Sequence, residues 1–240
     1  MAKTLPTSCG GASCVDLTGV VVCHASPRIL CVTVVYPVIK FVAVSAHAPT
    51  SFAPKHDIEV FWNELEAVMT KFARPGWPII MGIDANARVG SVCSSAIGSF
   101  DADEEDLSGT SLRCLAEKFD LVAPSTFHGH HTGPSVTWQG NAGQKPCRID
   151  YVLISSSWAT SARSHVAPEI DITTKHPDHS VLVASMSPSV SSEPSVTVRR
   201  KAIASTSSMS SADAAPAFLA AMAAYVPPSW EIHAPDHHFE

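Results

Sequence analysis

The sequence has no Cys-x-x-Cys pair, no excess of positive charge, no long uninterrupted apolar run and no internal repeat. Charged residues make up only 16% of the chain against 45% hydrophobic, which excludes a disordered chain and indicates a globular one. The net charge of −6 argues against a basic wrap-around nucleic-acid binder. It leaves open an enzyme acting on phosphate, because a carboxylate cluster that holds a cation is itself acidic. The seven cysteines are odd in number, which favours free thiols in a reduced intracellular setting and argues against a zinc site. Met1 to Gly11 lacks the apolar centre of a signal peptide. The apolar region from Val20 to Val44 is broken by His24, Pro27, Arg28, Pro37 and Lys40, so no membrane span is expected there.

What is present is an alternation of strands and helices within 240 residues, enough for one large domain with a substantial core. Val-rich runs at Val20 to Cys23, Ile29 to Tyr36 and Phe41 to His47 predict three successive strands joined by short turns. Phe61, Leu65, Val68, Met69 and Phe72 recur at helical spacing; Asp57 is the expected cap, and Pro75 and Pro78 stop the helix. Gly90 to Gly109 reads as a polar loop whose acidic run, Asp101 to Asp106, is expected to be solvated. A short helix is expected over Ser111 to Phe119, and strands over Val136 to Trp138, Ile149 to Ile154 and Val181 to Met186. The domain is expected to cover 19–186. A Ser/Pro-rich linker follows over 187–211, with a basic step at Arg199-Arg200-Lys201, and then a C-terminal helix and tail over 212–240.

The richest stretch is Ile79-Ile80-Met81-Gly82-Ile83-Asp84-Ala85-Asn86. A buried strand there delivers a carboxylate and an amide two residues apart, on one side if the strand geometry persists. Such a pair suits the handling of a water, a metal or a phosphate. Arg148-Ile149-Asp150-Tyr151 and Pro177-Asp178-His179-Ser180 repeat the pattern of an acid or His beside an apolar strand.

In order and spacing, five pieces resemble the endonuclease/exonuclease/phosphatase superfamily, and within it the endonucleases of non-LTR retrotransposons. They are Ser45-Ala46-His47-Ala48-Pro49-Thr50, Gly82-Ile83-Asp84-Ala85-Asn86, Thr137-Trp138, Arg148-Ile149-Asp150-Tyr151 and Asp178-His179. The resemblance implies a four-layered α/β sandwich and Mg²⁺-dependent phosphodiester hydrolysis, with Mn²⁺ as an alternative ion. It implies DNA as partner, no membrane, and a reverse transcriptase region in a longer polyprotein, with a nuclear location for an active enzyme. Asp84 would orient or deprotonate the attacking water, and Asn86 would hold the water or a phosphate oxygen. His179 would contact the scissile phosphate, Asp150 would fix its tautomer, Asp178 would ligate the metal, and His47 would lie near the phosphate. The resemblance also calls for an earlier part that contributes an Asn and a metal-binding Glu. Only Met1 to Thr18 precede the first matched strand, so a domain truncated at its N-terminus, with exposed strand edges, is expected.

Plainer accounts stand beside these. Asp84 and Asn86 could form a turn, Asp150 could pair with a nearby Arg, Asp178-His179 could cap a loop, and His47 could be a satisfied core histidine. His128, His130 and His131 could hold a metal, though a solvated loop is the favoured reading. Trp138 could belong to the core or to the site wall. Two rival functions remain: a phospholipid or inositol phosphate phosphoesterase of the same fold, and a catalytically dead remnant serving as an interaction domain.

Overall fold

The computed structural model describes residues 19–36, 39–140, 145–168, 170 and 178–187. The chain divides into two compact units, Met1–Ser191 and Ser192–Glu240, and the described residues all belong to the first. The expected linker beyond Ser187, its basic step and the expected C-terminal helix lie outside them.

In chain order the first elements are β1 (Val20–Ala25), β2 (Ile29–Tyr36), β3 (Ile39–His47), α1 (Lys55–Phe72) and β4 (Ile79–Asp84). There follow α2 (Leu107–Lys118), β5 (Leu121–Val122), β6 (His131–Thr132), β7 (Asp150–Ser155), the four-residue α3 (Ser156–Ala159), β8 (Arg163–Ala167) and β9 (Val181–Ser185). A six-stranded sheet has the order β1-β2-β3-β4-β7-β5, and a three-stranded sheet the order β6-β8-β9. The helical layer and the two sheets are parts of the expected α/β sandwich.

The three early strands form as their Val-rich alternation predicts, β1 to β3 making an antiparallel meander. β3 and β4 are parallel, which requires a crossover, and α1 supplies it. Strand alternation then sorts the side chains. Ile79, Met81 and Ile83 of β4 join Val42, Val44 and Ala46 of β3 in the core under α1, where Phe61, Leu65 and Met69 are buried. Fully burying a side chain of this size stabilises the fold by roughly 1.5–3 kcal/mol. The opposite faces of the same strands point towards the three-stranded sheet, where Phe41 and Ile80 pack around Ile154, Trp158 and Ala162.

Several local expectations are corrected. The cap of α1 is Pro54, and Asp57 sits in the first turn, where its charge suits the helix dipole. Helix α2 starts at Leu107 rather than Ser111, because the Asp106 carboxylate caps it by accepting from the Gly109 N–H at 2.7 Å. The acidic run is therefore not simply solvated. Glu105, with a side chain only 6% exposed, receives the Arg113 guanidinium at 2.9 and 3.0 Å, and Asp103 pairs with Lys145 at 2.9 Å. His131 is buried in β6 between the Ser164 hydroxyl and the Pro134 carbonyl and so departs from the expected solvated loop, whereas His128 is exposed. Val136 to Trp138 forms no regular strand; Trp138 makes isolated bridges to Cys147 and His179.

The Arg113 hydrogen bonds hold the Glu105 carboxyl below the ordinary glutamate range. Stability from such a pair is present above the unfolded value, about 4.3, and is lost as pH falls through the lower folded value. Arg113→Met should cost about 1–3 kcal/mol at pH 7. In urea unfolding, its difference from the parent should shrink steadily below pH about 4.

Candidate functional site

The site follows from strand register. On one rung of the large sheet, His47 of β3 pairs with Asp84 of β4, and Asp84 pairs with Asp150 of β7. Ile39 and Phe41 share the His47 face of β3, Ile80 the Asp84 face of β4, and Val152 and Ile154 the Asp150 face of β7. All of these pack towards the small sheet, so the rung ends in a row of polar groups over a cleft of about 340 Å³. Gly82 and Ser45 help form the floor of this cleft, and a Cβ built on Gly82 meets nothing within 4 Å.

His179 enters from the segment before β9. Its Nδ1 lies 2.9 Å from Asp150 Oδ2. A carboxylate oxygen accepts, so Nδ1 carries the hydrogen and Nε2 is the ring nitrogen left for a ligand. Ligand atoms of Asp84, Asp150 and His179 all lie within 4.8 Å of one another. His47 stands at the rim with its side chain 62% exposed and Nε2 3.5 Å from Asp84 Oδ2. The core-histidine account of His47 is thereby excluded. Asp150 pairs with His179 and not with an Arg; Arg148 instead donates to the carbonyls of Ser125 and Phe100.

The turn account of Asp84 and Asn86 holds locally. Asn86 has φ 44°, a left-handed conformation that Asn tolerates better than most residues, so the strand geometry stops at Asp84. The Asn86 N–H then donates to Asp84 Oδ1 at 3.1 Å, and its side-chain Nδ2 donates to Ala48 O at 3.0 Å. The amide thus ties the loop after β3 to the end of β4 and leaves its own oxygen as an acceptor. Asp178 lies beside these groups and outside the triple. Its Oδ2 accepts from Trp138 Nε1 at 3.3 Å, which places the indole against a site acid.

The electrostatics follow from crowding two carboxylates. Burial, and next the Asp150 charge, push the Asp84 carboxyl above its ordinary value, against the Asn86 N–H, His47 and His179, which act the other way. The Asp150 hydrogen bond raises His179, with the Asp150, Asp84 and Asp178 charges adding, and burial opposes it. Two carboxylates set on one rung carry an excess of negative charge that a divalent cation would relieve. The oxygens of Asp84 and Asp150 fit a hard ion such as Mg²⁺ better than the imidazole nitrogen of His179 does.

Thr137 is a bracing position that sequence reasoning left without a role. Its buried Oγ1 accepts the N–H groups of both Ile149 and Asp150 at 3.1 Å, and its carbonyl accepts the Ser180 N–H at 2.7 Å. One residue therefore braces the segments that carry Asp150 and His179. Its adjacency to Trp138 in a matched motif was the only signal.

No protein-family model matches the chain, and no curated protein matches it. Solved structures do. The 3′ phosphatase NExo from Neisseria bound to product DNA hairpin is 16% identical with a TM-score of 0.50, covering 71% of this chain and 71% of that one. The chain has the endonuclease/exonuclease/phosphatase fold. The endonuclease domain of TRAS1, a telomere-specific non-LTR retrotransposon, is 18% identical with a TM-score of 0.49, covering 70% of this chain and 68% of that one. The 3′-5′ exonuclease NExo from Neisseria meningitidis is 18% identical with a TM-score of 0.49, covering 66% and 64%. The chain thus spans between 64% and 71% of the length of these three structures.

Two outcomes are expected. Thr137→Val, which keeps the shape but strands two buried N–H groups, should destabilise by about 1–3 kcal/mol in chemical unfolding. With metal chelated, the His179 ring should titrate above the ordinary histidine value of about 6.5, and Asp150→Asn should lower it, as read by imidazole NMR. By linkage, the stability from this pair is fully present below that value and is lost as pH rises through the folded one.

Proposed function

We propose that this chain hydrolyses phosphodiester bonds in DNA with a bound Mg²⁺, as an endonuclease of the non-LTR retrotransposon kind. The observation that carries the proposal is the Asp150–His179 hydrogen bond set beside Asp84 at the mouth of an open cleft. The likeness to a phosphatase structure bound to a DNA hairpin supports nucleic acid as substrate, and the five motifs support the retrotransposon kind.

The geometry and the five motifs support the following roles. Asp84 would orient the attacking water and take its proton. The Asn86 side-chain oxygen would hold that water. His179, oriented by Asp150 and held above its ordinary value, would donate from Nε2 to a phosphate oxygen as charge develops on it. The bond from phosphorus to the leaving oxygen breaks, and that oxygen takes a proton from solvent. His47, exposed at the rim, would meet the substrate phosphate. Asp84 and Asp150, with Asp178 as a further oxygen donor, would hold the cation, which when bound offsets phosphate charge and acidifies water.

The test is nicking of supercoiled plasmid by the purified chain with Mg²⁺. The parent should nick and chelation should stop it. Asp84→Ala and His179→Ala should each lower the rate by about 10²–10⁴-fold. A folded parent that cleaves an inositol phospholipid and leaves plasmid intact would move the substrate to lipids. Inactivity on both substrates would mark the domain as inert.

A further inference from the structure

A second cleft, of about 500 Å³, opens at the far end of β7 from the carboxylates, where that strand runs into Ser156 and α3. β7 has six residues and spans roughly 20 Å at about 3.3 Å per residue, so this cleft is separate from the site described above. Its size is within the range of about 300–1,000 Å³ usual for small ligands. The groups that matter in its lining are Ser95, Val122, Phe127, His130, Thr160 and Arg163.

The charge in this cleft is one-sided and held in place. Arg163 opens β8, and its Nη1 donates to the Ala162 carbonyl at 2.7 Å. His130 Nδ1 lies 2.9 Å from the same carbonyl. A carbonyl only accepts, so Nδ1 carries the hydrogen, and the ring nitrogen available to a ligand is Nε2. Guanidinium and imidazole are thus held 3.5 Å apart by one shared acceptor. Among the described residues Arg163 pairs with no carboxylate, which leaves its other N–H groups for an anion. The rest of the lining differs in character. Phe127 stands edge-on to His130 with centroids 6.2 Å apart, Val122 adds apolar surface, and Ser95 and Thr160 contribute hydroxyls.

A fork of N–H donors beside hydroxyls suits a phosphate monoester, which Arg can grip through two oxygens. An aromatic and aliphatic wall next to it suits a flat ring. We infer that this cleft is a binding site for a nucleoside monophosphate, with Arg163 on the phosphate and Phe127 and Val122 against the base. The assignment does not depend on hydrolysis at the other end of β7.

The test is calorimetric titration of the full chain in EDTA, so that phosphate does not enter through a metal at the carboxylates. The probes are deoxythymidine monophosphate, thymidine and inorganic phosphate. The nucleotide should bind with a Kd below about 1 mM, and each of its two fragments at least about tenfold more weakly. Arg163→Gln, a change at an exposed side chain, should weaken nucleotide binding about tenfold or more. His179→Ala should leave it unchanged. Absent binding by the parent, unaltered binding by Arg163→Gln, or loss of binding in His179→Ala would each overturn the site. Inorganic phosphate binding as tightly as the nucleotide would overturn the assignment of the base.

Discussion

The ladder β3–β4–β7 is the constraint on which the rest depends. It sets His47, Asp84 and Asp150 on a single rung, and it does so through hydrophobic alternation rather than through any contact among the three. Ile79, Met81 and Ile83 must face α1; Tyr151 and Leu153 of β7 must face the same core. A slip of one residue in either strand would turn these apolar side chains out and the carboxylates in. The free energy of burying the core is thus what keeps two like charges side by side. No attraction between them is needed: burial first, and then the Asp150 charge, push the Asp84 carboxyl above its ordinary value.

The surroundings of that rung are arranged to bear the strain. Asn86 adopts a left-handed backbone, and its N–H turns back onto Asp84. His179 answers Asp150, and Trp138 answers Asp178. Thr137 satisfies the two N–H groups at the start of β7 that would otherwise lie buried without acceptors. Arg148, buried itself, donates to the carbonyls of Ser125, Phe100 and Asp101 and so fixes the segment around Phe100 to the same strand. Stability and reactivity therefore share residues. The groups that position the carboxylates also satisfy the polar backbone of an irregular region.

Much of this was legible in the chain. The Val-rich runs, the helical spacing of Phe61, Leu65 and Met69, and the stop at Pro75 correspond to β1, β2, β3 and α1 almost as expected. The gathering of Asp84, Asp150 and His179 was also foreseen, through motifs at strand ends. The acidic run was misjudged because local polarity does not reveal a partner: Glu105 and Asp106 find theirs in Arg113 and in a helix N-terminus. Short β5 and β6 carry too few residues for any periodicity, and β8, with Arg and His on one face, does not alternate cleanly.

By itself the sequence determined the places of β1 to β4, β7, β9 and α1, and which strand ends carry acids and histidines, because period and residue type are local properties. Only the tertiary structure decided that Asp84 and Asp150 share a rung, that Nδ1 of His179 is the nitrogen turned to Asp150, and that His47 lies at the rim rather than in the core. Only the pairing of β6 with β8 brought His130 beside Arg163, in a cleft that Ser95 and Val122 also line. These facts concern distances between residues far apart in the chain. Such distances are set by which surfaces must be buried together, and no local pattern records them.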